Sequence, residues 1–151
     1  MRRHRGLSII VFVLSVCAIR GVSAIPVTVL ACKSPDNSFQ SFLRRFEDDA
    51  PFRRSRLQLP LVVLTGNGIS VSRTIEFWTL PNLRALKGPL IYSRSDLKKY
   101  DLAETILVLQ PKRYAEVLQA NAGEADDTKL IFRFRRIDGC WALEGFEDVS
   151  E

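Results

Sequence analysis

The chain has 151 residues, 46% of them hydrophobic, with 22 Lys+Arg against 17 Asp+Glu and one histidine. Four of the basic residues (Arg2, Arg3, Arg5 and Arg20) and no acid lie in the first 24, so the remaining 127 carry 18 basic and 17 acidic groups, a net of +1. That near-neutrality argues against a nucleic-acid footprint. With His4 confined to the leading segment, the rest of the chain has neither a Ser-His-Asp or Cys-His catalytic set nor a histidine metal site.

The first 24 residues read as an export signal. Arg2, Arg3 and Arg5 precede an apolar run, Leu7 to Ile19, and Val22-Ser23-Ala24 is a small-residue cleavage site. At 13 residues the run is shorter than the roughly 20 that span a bilayer. The expected organisation is a signal peptide over 1–24, an extended lead-in over 25–36 and one domain over 37–151, working in the periplasm or as a secreted protein. Cys17 leaves with the signal. Cys32 and Cys140 remain as a candidate disulfide of an oxidising compartment, with two unpaired thiols as the alternative, since spacing alone does not bring two sites together. Cys32 has a further reading. Val29-Leu30-Ala31-Cys32 has the shape of a lipoprotein cleavage box, in which Cys32 is lipidated, the disulfide is forbidden and the domain is anchored to a membrane. Arg20 and Pro26 interrupt the apolar run that should lead into such a box, which favours cleavage after Ala24.

The lead-in ends at Ser34-Pro35-Asp36. Phe39, Phe42, Leu43 and Phe46 then recur at i, i+3, i+4 and i+7, the apolar stripe of a helix, with Asp36, Asn37 and Ser38 as candidate N-caps and Pro51 as its stop. Residues 57–65 and 69–78 read as a hairpin around Asn67-Gly68, a pair suited to a two-residue type I′ turn. That turn sets Gly66 opposite Ile69 and Leu64 opposite Val71. Leu57 to Thr65 is apolar on both faces and reads as an interior strand, whereas the second strand alternates and reads as half exposed. Residues 79–87 show no single pattern. Leu90 to Ser93 reads as a short strand, Ser95 to Ala103 as a turn or short helix, and Thr105–Gln110 and Arg113–Ala120 as strands around a Pro111 turn. A polar loop follows over Asn121–Asp127. Leu130–Ile137 and Cys140–Val149 form a second hairpin around Asp138-Gly139. Its register sets Ile137 opposite Cys140, Phe134 opposite Leu143, Arg133 opposite Glu144 and Lys129 opposite Asp148. Phe132, Phe134, Trp141 and Leu143 then share a face, and Arg133 and Glu144 form a cross-strand ion pair.

One helix followed by a curved, mainly antiparallel sheet is an α+β plan. Ser38–Phe46, Asp49–Leu61 and Phe132–Asp148 together resemble a family of small exported bacterial proteins of unknown function. The family's pattern is a Phe-rich helix, a strand entry F-x-x-x-R-[IL]-x-[FL]-P-L and a last hairpin ending W-x-L-x-x-[IF]-x-D. The resemblance implies a fold similar to that of nuclear transport factor 2, a cone of one bent sheet wrapped on helices. It covers both ends of the chain and leaves residues 79–127 unmatched. Sheets of this fold often pair face to face, so a homodimer is a candidate assembly. The matching residues are core residues, and the family carries no activity to transfer.

No residue is assigned a catalytic, cofactor-binding or metal-binding role. Ser95-Asp96-Leu97-Lys98 matches S-x-x-K by letter, without the partner motifs that give it meaning. Some enzymes of the cone fold use a pocket acid, and Asp101, Glu104, Glu116 and Glu144 are the candidates for one. Glu147 and Asp148 match the family's terminal acid and read as structural. Arg53, Arg54 and Arg56, with Arg44 and Arg45, form a basic stretch that would dock an anionic group, set against Glu47, Asp48 and Asp49 as balancing charges of a solvated face. Trp78 is a candidate binding anchor at the cone's mouth. The expected function is that of an exported, non-enzymatic binding or interaction domain whose partner is a small molecule or a periplasmic protein. The alternatives are a small-molecule enzyme using a pocket carboxylate and a periplasmic inhibitor or immunity protein.

Overall fold

The computed structural model describes residues 32, 34–66, 73–107, 109, 113–121 and 128–150. The proposed signal peptide, the lipoprotein box before Cys32, the Asn67-Gly68 and Pro111 turns and most of the 121–127 loop lie outside these residues. Among these residues the architecture is α+β, with four short helices and one six-stranded sheet.

Helix α1, Phe39–Asp48, starts where Ser38 accepts the backbone N–H of Ser41, and its Phe39, Phe42, Leu43 and Phe46 are buried. Asp49 then ends α1 and starts a second helix, α2, Ala50–Ser55, by accepting the N–H of Phe52 at 2.9 Å. Pro51 therefore does not stop helical structure. It stands in the first turn of α2, where its missing N–H has no intrahelical partner to lose. Strand β1, Leu57–Gly66, follows, then β2, Arg73–Trp78. The segment without a clear pattern holds helix α3, Leu80–Ala85, and the anticipated strand at Leu90–Ser93 is instead irregular chain leading into helix α4, Arg94–Lys99. Ser93 cannot continue a strand because it caps α4, accepting from Asp96 N–H while the Asp96 carboxylate accepts from Ser93 N–H. Strands β3, Leu102–Leu107, β4, Tyr114–Asn121, β5, Lys129–Ile137, and β6, Cys140–Asp148, complete the chain.

The sheet order is β2-β1-β6-β5-β4-β3, antiparallel except for the parallel pair β1 and β6. β1 is thus interior in the sheet, as its composition suggests, yet Val62 remains 38% exposed because only one face is covered. The β1–β2 register differs from the one a two-residue turn imposes. Gly66 pairs with Arg73 and Leu61 with Trp78, leaving six residues between the strands. The shift is even, so facing is preserved. It brings the Trp78 ring to 5.3 Å from Phe146, edge-on, and that aromatic contact outweighs the local turn preference. Ile75 and Phe77 stay 61% and 60% exposed on the outer face beside Val62.

The last hairpin turns at Asp138-Gly139, both with positive φ. Ile137 pairs with Cys140 and Phe134 with Leu143 as expected, but a bulge at Glu144 then pairs Arg133 with Gly145 and Leu130, not Lys129, with Asp148. The Arg133–Glu144 pair is accordingly absent. Arg133 bonds Glu116 at 3.2 Å and Glu147 at 2.6 Å, while Glu144 lies 4.0 Å from Arg135. The bulge falls where β6 meets β1. A Cβ on Gly145 would stand 2.6 Å from the Val62 carbonyl oxygen, so only glycine admits this approach.

Asp36 ties the lead-in down. Its carboxylate accepts from both terminal nitrogens of Arg56 at 3.3 Å and from Trp141 N–H at 2.7 Å, its N–H reaches the Gly139 carbonyl, and Arg136 reaches its own carbonyl at 2.9 Å. Next to this clamp the sulfurs of Cys32 and Cys140 are brought together, with Cα atoms 6.1 Å apart across 108 positions of chain, within the span of a disulfide.

Two outcomes follow from this packing. Gly145→Ala should destabilise by about 1–3 kcal/mol, the usual cost of overpacking, measured by urea unfolding. Cys140→Ser opens the long loop and should cost up to ~4.7 kcal/mol in the chain-entropy account, read in the same assay under oxidising conditions.

Candidate functional site

Two places concentrate polar side chains without ordinary partners. The first is on the inner face of the sheet, under the end of α1. Glu47 lies four residues after Leu43, so it continues the apolar stripe and is 3% exposed. Gln119 on β4 is fully buried. It accepts from Tyr92 N–H, donates to the Tyr92 carbonyl and donates to Glu104 at 3.1 Å. Glu104 sits opposite Gln119 in the β3–β4 register and neighbours Glu47. Burial, reinforced by the neighbouring Glu104 carboxylate, pushes the Glu47 carboxyl up to about 9, with Arg94 working the other way. A carboxyl raised this far is protonated at neutral pH. Neither Glu47 oxygen has a hydrogen-bond partner among the described residues.

The other candidate acids go elsewhere. Asp101 is exposed at a positive-φ turn. Glu116 pairs with Arg133 on the outer face, and Glu144, raised by burial against the pull of Arg135 and Arg133, stands at the bulge. These last two line a shallow depression of about 230 Å³ with Tyr114 and Arg133. Glu147 is buried between Arg73 at 3.2 Å and Arg133. Glu104 alone of the four faces inward, and its partner Glu47 escapes a reading that treats it with Asp48 and Asp49 as a solvated charge. The signal available was its i+8 position from Phe39.

The second place is a cleft of about 660 Å³ between α2 and α3. Ala50 and Pro51 of α2, Leu80 and Leu83 of α3, and Leu57, Leu86 and Leu90 supply its apolar wall, Ser55 a hydroxyl, and Arg53, Arg54 and Arg84 its charge. No carboxylate, cysteine or histidine lines it. Its Ser55 hydroxyl is already committed to the Phe52 carbonyl at 2.7 Å. Arg53 donates to the backbone carbonyls of Glu47 at 3.0 Å and Ile91 at 3.5 Å, and its Nε–H is buried without an acceptor. Burial lowers its pKa, against the pull of Asp48 and Glu47. Arg54 and Arg84 are exposed, with no ion pair or hydrogen bond among the described residues.

The basic stretch is therefore split. Arg53 and Arg54 reach the cleft. Arg56 is held by Asp36, and together with Arg45 it lies over the Phe52 ring, at 4.9 and 4.2 Å. Trp78 packs on Phe146 and donates its Nε1–H to Glu76 at 2.6 Å, away from the cleft. Ser95 and Lys98 lie on α4, outside both places.

A scan against family models and a search of curated proteins each return no match. Among solved structures the chain is similar to the crystal structure of a nuclear transport factor 2-like protein from Bacteroides fragilis, with a TM-score of 0.53 and 21% identity over 79% of this chain. The chain spans only half the length, 50%, of that protein. An NMR structure of a protein from Bacteroides uniformis aligns at TM-score 0.46 and 15% identity, covering 78% of each chain. The fold is nuclear transport factor 2-like, as the resemblance implied.

The proton on Glu47 has a pH signature. From about pH 4.5 to 9 the folded state keeps a proton that the unfolded chain releases. Stability is therefore fully present below the unfolded value and falls as pH rises toward 9, by up to ~1.4 kcal/mol per unit. Urea midpoints at pH 5, 7 and 9 should decline in the native protein and decline less in Glu47→Gln.

Proposed function

We propose that this chain is an exported, non-enzymatic binding domain that holds a small ligand in the α2–α3 cleft. The carrying observation is the lining of that cleft. Its volume of about 660 Å³ lies in the usual range for ligand pockets, roughly 300–1,000 Å³. Its wall mixes leucines with guanidinium groups and contains no acid, base or free nucleophile with which to turn a substrate over. Export is supported by the leading segment and is compatible with the disulfide. Among the described residues no helix is long and apolar enough to cross a membrane. A bridged Cys32 leaves no thiol to acylate, so the soluble and lipid-anchored forms exclude each other.

A second reading, an enzyme working from a pocket carboxylate, is favoured by the proton-bearing Glu47 beside Glu104. Neither residue lines the α2–α3 cleft, the outer depression or the cleft of about 400 Å³ beside Phe39 and Trp141. A substrate has no described route to them, and binding is the better account.

Native mass spectrometry of protein expressed with its own leading segment tests the proposal. The expected mass begins at Ile25, gains two hydrogens on reduction and carries a small adduct. A start at Cys32 with added acyl mass would replace the soluble domain by a lipoprotein. Turnover of a substrate that is lost in Glu47→Gln would establish the enzyme instead.

A further inference from the structure

We infer that the α2–α3 cleft binds a single-chain fatty carboxylate, its alkyl chain along the leucines and its carboxylate at Arg53, Arg54 and Arg84. The inference rests on the proposed reading of that cleft as a binding site and adds the chemistry of the ligand.

Three observations carry it. The first is a half-buried cation without an ion pair. Arg53 is held only by two backbone carbonyls, makes no ion pair, and keeps a buried Nε–H with no acceptor. Such a donor costs free energy until an acceptor reaches it. Asp48, Glu47 and Asp49 attract it only at a distance, and none forms an ion pair with it. The second is charge of one sign. Arg54 and Arg84 add two cations without partners among the described residues, and no carboxylate lines the cleft to neutralise them. Arg56, Arg73 and Arg133, by contrast, each have an acid within 3.3 Å. The third is the nature of the apolar wall. Leu57, Leu80, Leu83, Leu86 and Leu90 line it without an aromatic ring. Aliphatic walls follow a flexible alkyl chain by dispersion contact, whereas flat ligands draw on stacking surfaces. One carboxylate meets a guanidinium fork through paired charge-assisted bonds.

Gly88 supplies a way to close the cleft without disturbing the fold. It lines the cleft, has no positive φ, and a Cβ built on it meets nothing within 4 Å. Isothermal titration calorimetry of the oxidised protein with decanoate, decanol and decyltrimethylammonium, each below its micelle concentration, tests the inference. Decanoate should bind one to one, and decanol and the cation at least about tenfold more weakly, as expected for losing a charge-assisted contact. Gly88→Trp should abolish binding with the circular dichroism spectrum unchanged. Arg54→Glu/Arg84→Glu, at two exposed positions, should weaken decanoate by a similar factor and leave decanol unaffected. Equal binding of all three ligands, still blocked by Gly88→Trp, would overturn the carboxylate and leave the cleft as a site for neutral apolar ligands. Decanoate binding that survives Gly88→Trp would overturn this location for it. No binding of any of the three would remove both the carboxylate and the cleft.

Discussion

Phe134 stands at the centre of the packing. Its ring meets Phe39, Phe42 and Phe46 of α1 at centroid distances of 5.4, 5.7 and 5.3 Å, edge-on in each case. Edge-to-face contacts of this kind add about 0.5–1.5 kcal/mol each beyond the area they bury. They lock one helix face onto the β5–β6 hairpin, and the other elements are arranged around that seat. Trp141 closes the same cluster from β6, 4.9 Å from Phe39. Because β6 is central in the sheet, β1 can pair with it in parallel only by coming close at Gly145, which is why the bulge and the glycine occur together. The same seat fixes where α1 ends, and therefore where α2 must start, since Asp49 serves both helices.

The lead-in depends on that seat as well. Asp36 reaches Trp141 N–H and Arg56 at once, joining the hairpin to the start of β1. Cys32 and Cys140 meet at the same ordered corner. Sequence distance is no guide to this clamp, because its partners lie 20 and 105 positions away.

Buried polar groups divide into two kinds. Asp36, Gln119 and Glu147 are buried or nearly so and fully engaged with arginines, backbone groups or both. Folded proteins pair such groups almost without exception. Arg53 Nε, both oxygens of Glu47 and the amide oxygen of Gln58 depart from that rule. For Glu47, burial beside Glu104 raises the carboxyl and removes its charge, which lessens the cost of the departure. For Arg53 the described residues offer no equivalent resolution, and it lines the α2–α3 cleft.

The α1 stripe, the Asp138-Gly139 turn and the shared face of Phe132, Phe134, Trp141 and Leu143 were determined by the sequence alone. Each depends on neighbours within a turn of helix or across a two-residue turn, and periodicity records such neighbours directly. Together with the resemblance at both ends, they were enough for the α+β class and the cone. The β1–β2 register, the bulge at Glu144, the burial of Glu47 and the division of the arginines between clamp and cleft were decided only by the tertiary structure. The register answered to Trp78 meeting Phe146, the bulge to β1 crossing close to Gly145, and the arginines to an aspartate and a helix far away in the chain. Those partners are distant in sequence, and what a side chain gains or loses from them is set by the space they enclose.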